Sequence, residues 1–271
     1  MKATVLGASG FIGGNLVRYL QDFGYEVSTP GRASLETLNG DLGRVFYCIG
    51  MTGNFRAQPL ATVDAHAGLL GRLLERIDFD SFVFFSSTRI YGLAGDMAET
   101  SEDLPVKVLP SADTTYDLSK LLGEALCLSL RRPSVKVVRL SNVYGTGQSN
   151  ATFLSSLLAD LAASGTATIR ESSNSSKDYV SIEDVVGLAE KIARSGRHQI
   201  YNVASGQPVF HLEIAKLAQD EGYRCSFAPG GAQRVFPQIN IGRLQSEFGF
   251  KPRSLLEDLP SLLRAASSNA S

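Results

Sequence analysis

Short apolar runs rich in β-branched and aromatic side chains alternate, from the first residue, with segments whose apolar positions recur at helical spacing. The runs are Ala3 to Leu6, Tyr25 to Ser28, Val45 to Ile49, Phe82 to Phe85, Val135 to Leu140 and Ile200 to Ala204. Several are apolar on consecutive residues, as a strand must be when both of its faces are covered. Between them Leu16, Leu20 and Phe23 share one helical face, as do Leu69, Leu73 and Ile77, and then Val185, Ala189 and Ile192. Strand and helix in this order predict an α/β fold, a doubly wound parallel sheet with helices on both sides.

The alternation holds over residues 1–144 and about 179–204. Only about a dozen residues separate Arg32 from Val45, close to the minimum for a parallel crossover, so the sheet is expected to be shortened there. Residues of about 145–178 and 205–266 fall outside the repeat and carry helices such as Phe153 to Ala163 and Leu212 to Glu221. They are expected to form a smaller lobe from two separated pieces, with 267–271 as a flexible tail.

Composition narrows the function classes. The 271 residues are 44% hydrophobic and 20% charged, an ordinary folded chain with neither disorder nor a coiled coil. Lys plus Arg (26) nearly balances Asp plus Glu (27), so no global field collects nucleic acid or anionic membrane, and an anionic ligand has to be held by local design. Three cysteines without C-x-x-C spacing give neither a disulfide framework nor a metal site. Glycines at 7, 10, 13 and 14 interrupt the first apolar run, and no stretch is long enough to span a bilayer, so the expected location is the cytoplasm.

The first strand runs into G-A-S-G-F-I-G, and then directly into an amphipathic helix. A glycine pattern in that setting cradles a pyrophosphate: glycines let the backbone turn tightly and approach, while free amides and the dipole at the helix start hold the charge. Gly7, Ser9, Gly10, Phe11, Ile12 and Gly13 are the candidates for this cradle of a dinucleotide. After the second strand a carboxylate normally takes the adenosine ribose hydroxyls. Here the chain reads Ser28, Thr29, Pro30, Gly31, Arg32, and a guanidinium at Arg32 can instead clasp a 2'-phosphate. NADP(H) is therefore favoured over NAD(H).

Tyr116 and Lys120 lie four residues apart in a predicted helix that continues to about Arg131, which puts them on one face. A phenol ionises near pH 10; bringing it to about 7 takes ~4 kcal/mol, which a close ammonium and a nicotinamide charge in a water-poor site can supply. The strand Phe82 to Phe85 ends in S-S-T-R-I-Y-G and the strand Val135 to Leu140 in S-N-V-Y-G, both at the ends where open α/β sheets bind ligands.

With these features the sequence resembles the extended short-chain dehydrogenase/reductase family, in its NAD-dependent epimerase/dehydratase branch that modifies nucleotide sugars. G-A-S-G-F-I-G, S-S-T-R-I-Y-G, Y-D-L-S-K followed by Gly123 and Glu124, R-L-S-N-V-Y-G, K-D-Y-V-S-I-E-D-V and Y-N-V-A-S-G carry the resemblance in that order. It implies a Rossmann-type fold with a small C-terminal substrate-binding lobe, Tyr116 as acid/base, and Lys120 on the nicotinamide ribose. It also implies Ser87 as the strand-end hydroxyl steadying the reacting oxygen, with Thr88 as runner-up. Asn142 matches a position facing the substrate, and Cys48, Ile49 and Gly50 match the strand end lining the adenosine side. Lys177 and Arg243 are candidates to meet the substrate's phosphates, with a solvated surface charge as the plain alternative.

Dehydratases of this kind carry Asp and Glu after the strand-end hydroxyl; Thr88 and Arg89 stand there instead, which disfavours dehydration. Branches that also epimerise beside a ketone use a Cys and a His, and no Cys occupies the matching strand end. His66, where the family often has Asn, and His198 read as ordinary polar residues. The expectation is a 4-ketoreductase acting on a nucleotide sugar, with a 4-epimerase as the alternative and a non-catalytic dinucleotide sensor as a reading of another class. Leu118, Leu121, Leu122, Ala125, Leu126, Leu128 and Leu130 make the catalytic helix apolar beyond one stripe, and Leu69, Leu70, Leu73 and Leu74 do the same for the helix before it. That surplus predicts a homodimer through a four-helix contact.

Overall fold

The computed structural model describes residues 1–51, 53–92 and 99–270, with side chains up to Ser268. Six parallel strands form the central sheet in the spatial order Ile200–Val203, Val135–Leu140, Ser81–Ser87, Arg44–Tyr47, Lys2–Leu6, Glu26–Ser28. Side chains alternate across the pleat, so one strand feeds two cores. Val83 and Phe85 pack with Leu16, Leu20, Val185, Ala189 and Ile192 on one face, while Phe82 and Phe84 pack with Leu69, Leu70, Leu73 and Cys127 on the other. The α/β, doubly wound architecture expected of the strand-helix order is the one observed.

From Lys2–Leu6 the chain first adds Glu26–Ser28 on one side and then Arg44–Tyr47 on the other. The strand order therefore reverses around the first strand, and ligands bind outside the carboxyl ends of strands at such a reversal. Between the second and third of these strands lie only the Arg32–Ser34 turn and a two-residue strand, Gly40–Asp41, paired with Ile77–Asp78. Glu26–Ser28 is the edge of the sheet among the described residues.

Two helix expectations change. Helix 59–74 ends before Ile77, which joins the short strand instead, and Phe23 at the end of Phe11–Asp22 is 47% exposed rather than buried with Leu16 and Leu20. Helix 59–74 also contains a π-helical segment, Asp64–Gly68, in its middle.

A third core collects residues from both late parts of the chain: Leu154, Leu157 and Leu161 with Ile214, Ala218, Leu259 and Leu263. There Thr166–Ile169 pairs with Arg224–Phe227, and Ser176–Ser181 joins Asn142–Tyr144 to Pro208–Phe210. The last helix, Leu255–Ala270, runs through most of the stretch expected to be a tail; Ser267 Oγ donates 3.1 Å to Leu263 O, and Ser271 lies outside the described residues. Among the described residues no helix is long and apolar enough to cross a membrane, and no group of His, Cys, Asp and Glu could hold a metal ion.

Candidate active site

The glycine turn lies at the strand-order reversal. Gly7 has φ +90°, and a Cβ on it would stand 3.0 Å from Cys48 C and Ile49 N; a Cβ on Gly13 would stand 2.2 Å from Gly7 O. Only glycine allows this backbone to close on the end of the neighbouring strand. The helix that follows begins at Phe11 with Gly10 as its cap, no side chain caps its first amides, and no acid occupies its first turn. Open amides at a helix start and backbone that approaches without side chains fit a dinucleotide pyrophosphate. Ser9, Gly10 and Gly50 are exposed around this turn, and Phe11, Ile12, Cys48 and Ile49 are half-buried beside it. Burial raises the Cys48 thiol far above its ordinary range, against the pull of the Lys120 cation.

Arg32 follows the second strand in an exposed turn, and among the described residues its side chain makes no hydrogen bond or ion pair.

The helix that carries Tyr116 and Lys120, expected to be the catalytic one, is Thr115–Ser129. Lys120 Nζ donates 2.8 Å to Phe85 O, and Glu124 accepts 2.5 Å from Ser86 Oγ, so the helix is tied to the strand that carries Ser87. Glu124 is held in turn by Arg139 Nη2 at 2.7 Å in a buried ion pair. Burial pulls the Lys120 ammonium down to about 8, with the Glu124 carboxylate opposing. Ser87 Oγ accepts 3.2 Å from Arg89 N, which leaves its hydroxyl hydrogen available as a donor. Thr88 Oγ1 is turned to Leu140 O at 3.3 Å, so among the described residues Ser87 is the one of the two strand-end hydroxyls that donates to no partner.

Tyr116 is buried, and its ring meets Phe55 at 5.2 Å, His66 edge-on at 5.1 Å, the Lys120 ammonium at 5.9 Å and the Arg89 guanidinium at 5.6 Å. His66, fully buried on the π-helical segment, contacts Ser119 Oγ through Nδ1 at 2.8 Å and accepts 3.3 Å from Met51 N at Nε2. Ser119 spends its proton on Tyr116 O at 2.8 Å, so Nδ1 carries the hydrogen. Burial first, then the Lys120 cation, lowers His66 to about 2, and the ring stays neutral. The ordinary polar residue of the sequence reading is thus a bridge between the loop after Arg44–Tyr47 and the catalytic helix. Phe55, His66 and Arg89 join the site through tertiary contacts that no local spacing announces; the Asn-to-His difference at position 66 was the available signal.

The remaining candidates lie in the lobe. Asn142 is exposed at the start of its strand, with Nδ2 donating 2.9 Å to Asp178 O. Lys177, two positions before Asn142's register partner Tyr179, reaches Glu171 at 3.4 Å and stacks 4.5 Å over Phe153. Arg234, unremarked in the sequence, meets the same Glu171 carboxylate at 3.9 Å, and His211 Nε2 stands 3.8 Å from it. Among the described residues, both His211 nitrogens are buried without a hydrogen-bond partner. Arg243 is placed apart from this group: its donors go to Asp103 at 2.5 Å and Ile200 O at 2.8 Å.

Residues 3–204 match the NAD dependent epimerase/dehydratase family. A dTDP-4-dehydro-6-deoxy-D-allose reductase from Streptomyces sp is 26% identical over 310 residues, covering 96% of this chain and 94% of the relative. Among solved structures, MoeE5 in complex with UDP-glucuronic acid and NAD superposes with a TM-score of 0.84 at 25% identity, covering 99% of this chain and 100% of that one. RMD from Pseudomonas aeruginosa complexed with NADPH gives 0.79 at 23% identity, covering 99% and 100%, a likeness of fold.

Proposed function

This chain belongs to the NAD dependent epimerase/dehydratase family, a family of nicotinamide-dependent enzymes, and from that premise we propose that it reduces the 4-keto group of a nucleotide-activated sugar. The observation that carries the reading is the convergence of Tyr116, Lys120 and a free Ser87 hydroxyl at the end of one central strand. The bound dinucleotide supplies the hydride. Tyr116 gives its proton to the ketone oxygen as the alcohol forms, Ser87 holds that oxygen by donating to it, and Lys120 stabilises the phenolate left behind. Gly7, Ser9, Gly10, Phe11, Ile12 and Gly13 hold the pyrophosphate, Cys48, Ile49 and Gly50 border it, and Lys120 has further donors for the nicotinamide ribose.

The Arg32 guanidinium beyond the second strand favours NADP(H) over NAD(H), because among the described residues it has no partner to give up before meeting a 2'-phosphate. Asn142, Lys177 and Arg234 cluster on the lobe side and suit the anionic nucleotide of the substrate. Thr88 and Arg89 stand after Ser87 where a dehydratase carries its two acids, and Arg89 is paired with Asp117 at 2.9 Å, which disfavours dehydration.

We also place a homodimer on the catalytic helix, where Leu118 and Leu122 are 36% and 50% exposed. Leu69, Leu70 and Leu73 are spent on the protein's own core, so the contact rests on the catalytic helix more than on the helix before it.

A thermal-shift panel of nucleotide sugars, each with NAD or NADP, tests the reading. Stabilisation by a nucleoside-diphosphate 4-dehydro-6-deoxyhexose together with NADP is expected, and a panel in which no nucleotide sugar stabilises the protein overturns it.

A further inference from the structure

Arg89 leaves the strand end two residues after Ser87 and turns back over the catalytic helix. Its Nε donates 2.9 Å to Asp117 Oδ1 and its Nη2 donates 3.3 Å to Asp113 O. The guanidinium carbon lies 4.9 Å from the centroid of Phe55 and 5.6 Å from that of Tyr116. Two cations of this chain, Arg89 and Lys120, therefore bear on one phenol ring. Lys120 is wholly within the interior, whereas the Arg89 side chain keeps 39% of its surface and is fixed by stacking and by the nearly buried Asp117 carboxylate.

We propose that Arg89 is a positioning residue for the ketone reduction, its guanidinium stabilising the phenolate form of Tyr116 while its backbone amide orients Ser87. This rests on the reading of Tyr116 as proton donor. In the transfer the Tyr116 O–H bond breaks, its electron pair stays on the phenolate oxygen, and the proton forms the O–H bond of the product alcohol. Negative charge thus grows on the ring that the guanidinium faces, and a cation at this range lowers the energy of the charged form. A guanidinium does not deprotonate in a protein, so its contribution persists at alkaline pH where a buried ammonium loses its proton. The amide of the same residue occupies one lone pair of Ser87 Oγ and leaves the hydroxyl hydrogen to be donated to another acceptor.

Asp117 sets the size of the effect. Its carboxylate partly cancels Arg89, and burial raises its own proton affinity against the pull of that guanidinium. Among the described residues, the other charged or titratable groups around the phenol include Lys120 on the same helix and neutral His66 across from it; Arg56 and Asp113, one contact further out, pair with each other at 2.7 Å. Glu124 is committed to Arg139 and Ser86.

The test is an ultraviolet difference titration of the purified protein, with and without saturating NADP+. Subtracting Tyr116→Phe from the parent isolates this phenol among nine tyrosines. Arg89→Gln is expected to raise the Tyr116 midpoint by about one pH unit. Arg89→Lys is expected to return most of that shift, and Asp117→Asn to move the midpoint the opposite way. A midpoint unmoved in Arg89→Gln, a lysine variant no better than glutamine, or shifts of the same sign in Asp117→Asn and Arg89→Gln would overturn the proposal. A purely structural Arg89 would lower the melting temperature and leave the midpoint in place. If the parent turns over no 4-keto nucleotide sugar, the functional reading fails and the titration still decides Arg89; if turnover is normal and the midpoint is fixed, only the role of Arg89 fails.

Discussion

Lys120 stands one helical turn after Tyr116 with its ammonium 5.9 Å from the centre of the phenol ring, and the same ammonium donates 2.8 Å to Phe85 O on the strand that ends in Ser87. One side chain thereby ties the helix that carries Tyr116 to the strand that ends in Ser87. Replacing Tyr116 by Phe removes the hydroxyl while the ring keeps its contacts with Phe55 and His66. The rate of ketone reduction is expected to fall by about 10²- to 10⁴-fold in Tyr116→Phe, with the dissociation constant of the coenzyme, read by fluorescence, nearly unchanged.

The pH dependence follows from Lys120. Its ammonium is held down to about 8 by burial, so the charged form that steadies a phenolate and hydrogen-bonds a ribose is present below that pH and lost above it. Reduction rate and coenzyme affinity are both expected to decline as the pH rises through about 8. His66, neutral down to about 2, adds no step between pH 5 and 7. A rate profile with a basic limb well above 9 contradicts this assignment.

Arg32 stands in an exposed turn beyond the second strand, with no side-chain partner among the described residues. Arg32→Ala is expected to weaken NADP binding by about 10-fold or more, the size of a charge-assisted contact, and to leave NAD binding almost unaltered. Isothermal titration with the two coenzymes measures both; equal losses for each would remove the phosphate contact from the account.

Acid should destabilise the fold through His211. The ring is fully buried against Phe153, and burial first, then the Lys177 cation, lowers it to about 4 against the pull of Glu171. Its unfolded-state value lies near 6.5, so the unfolded chain takes up the proton first. The stability it contributes is complete above about 6.5 and is lost as the pH falls towards 4, by up to ~3 kcal/mol. Urea melts across that range should show the decline, and a flatter profile is expected in His211→Phe.

The sheet is legible in the chain because its signal is local: Val135–Leu140 is bounded as its apolar run predicts, and Phe82 to Phe85 lies inside the strand Ser81–Ser87. Tyr116 and Lys120 are legible for the same reason, a spacing of four on one helix. What surrounds them is not. The π-helical segment that points His66 at Ser119 depends on packing between helix 59–74 and the catalytic helix, where a Cβ on Gly123 would strike Phe84 at 2.5 Å and His66 O at 2.7 Å. Arg89 looks like a surface residue in the sequence and reaches Tyr116 only because Asp117 and Phe55 hold it there. Lys177 and Arg234 are 57 residues apart, and their common partner Glu171 appears only in the folded lobe.

The most direct measurement of the central claim is the stoichiometry of coenzyme to product with a nucleoside-diphosphate 4-keto sugar as substrate. One NADPH oxidised for each 4-hydroxy sugar formed, with both slowed together by about 10²-fold or more in Tyr116→Phe, is the predicted result. Sugar product accumulating over many turnovers while the coenzyme stays at its starting redox state would contradict the account and leave a 4-epimerase in its place.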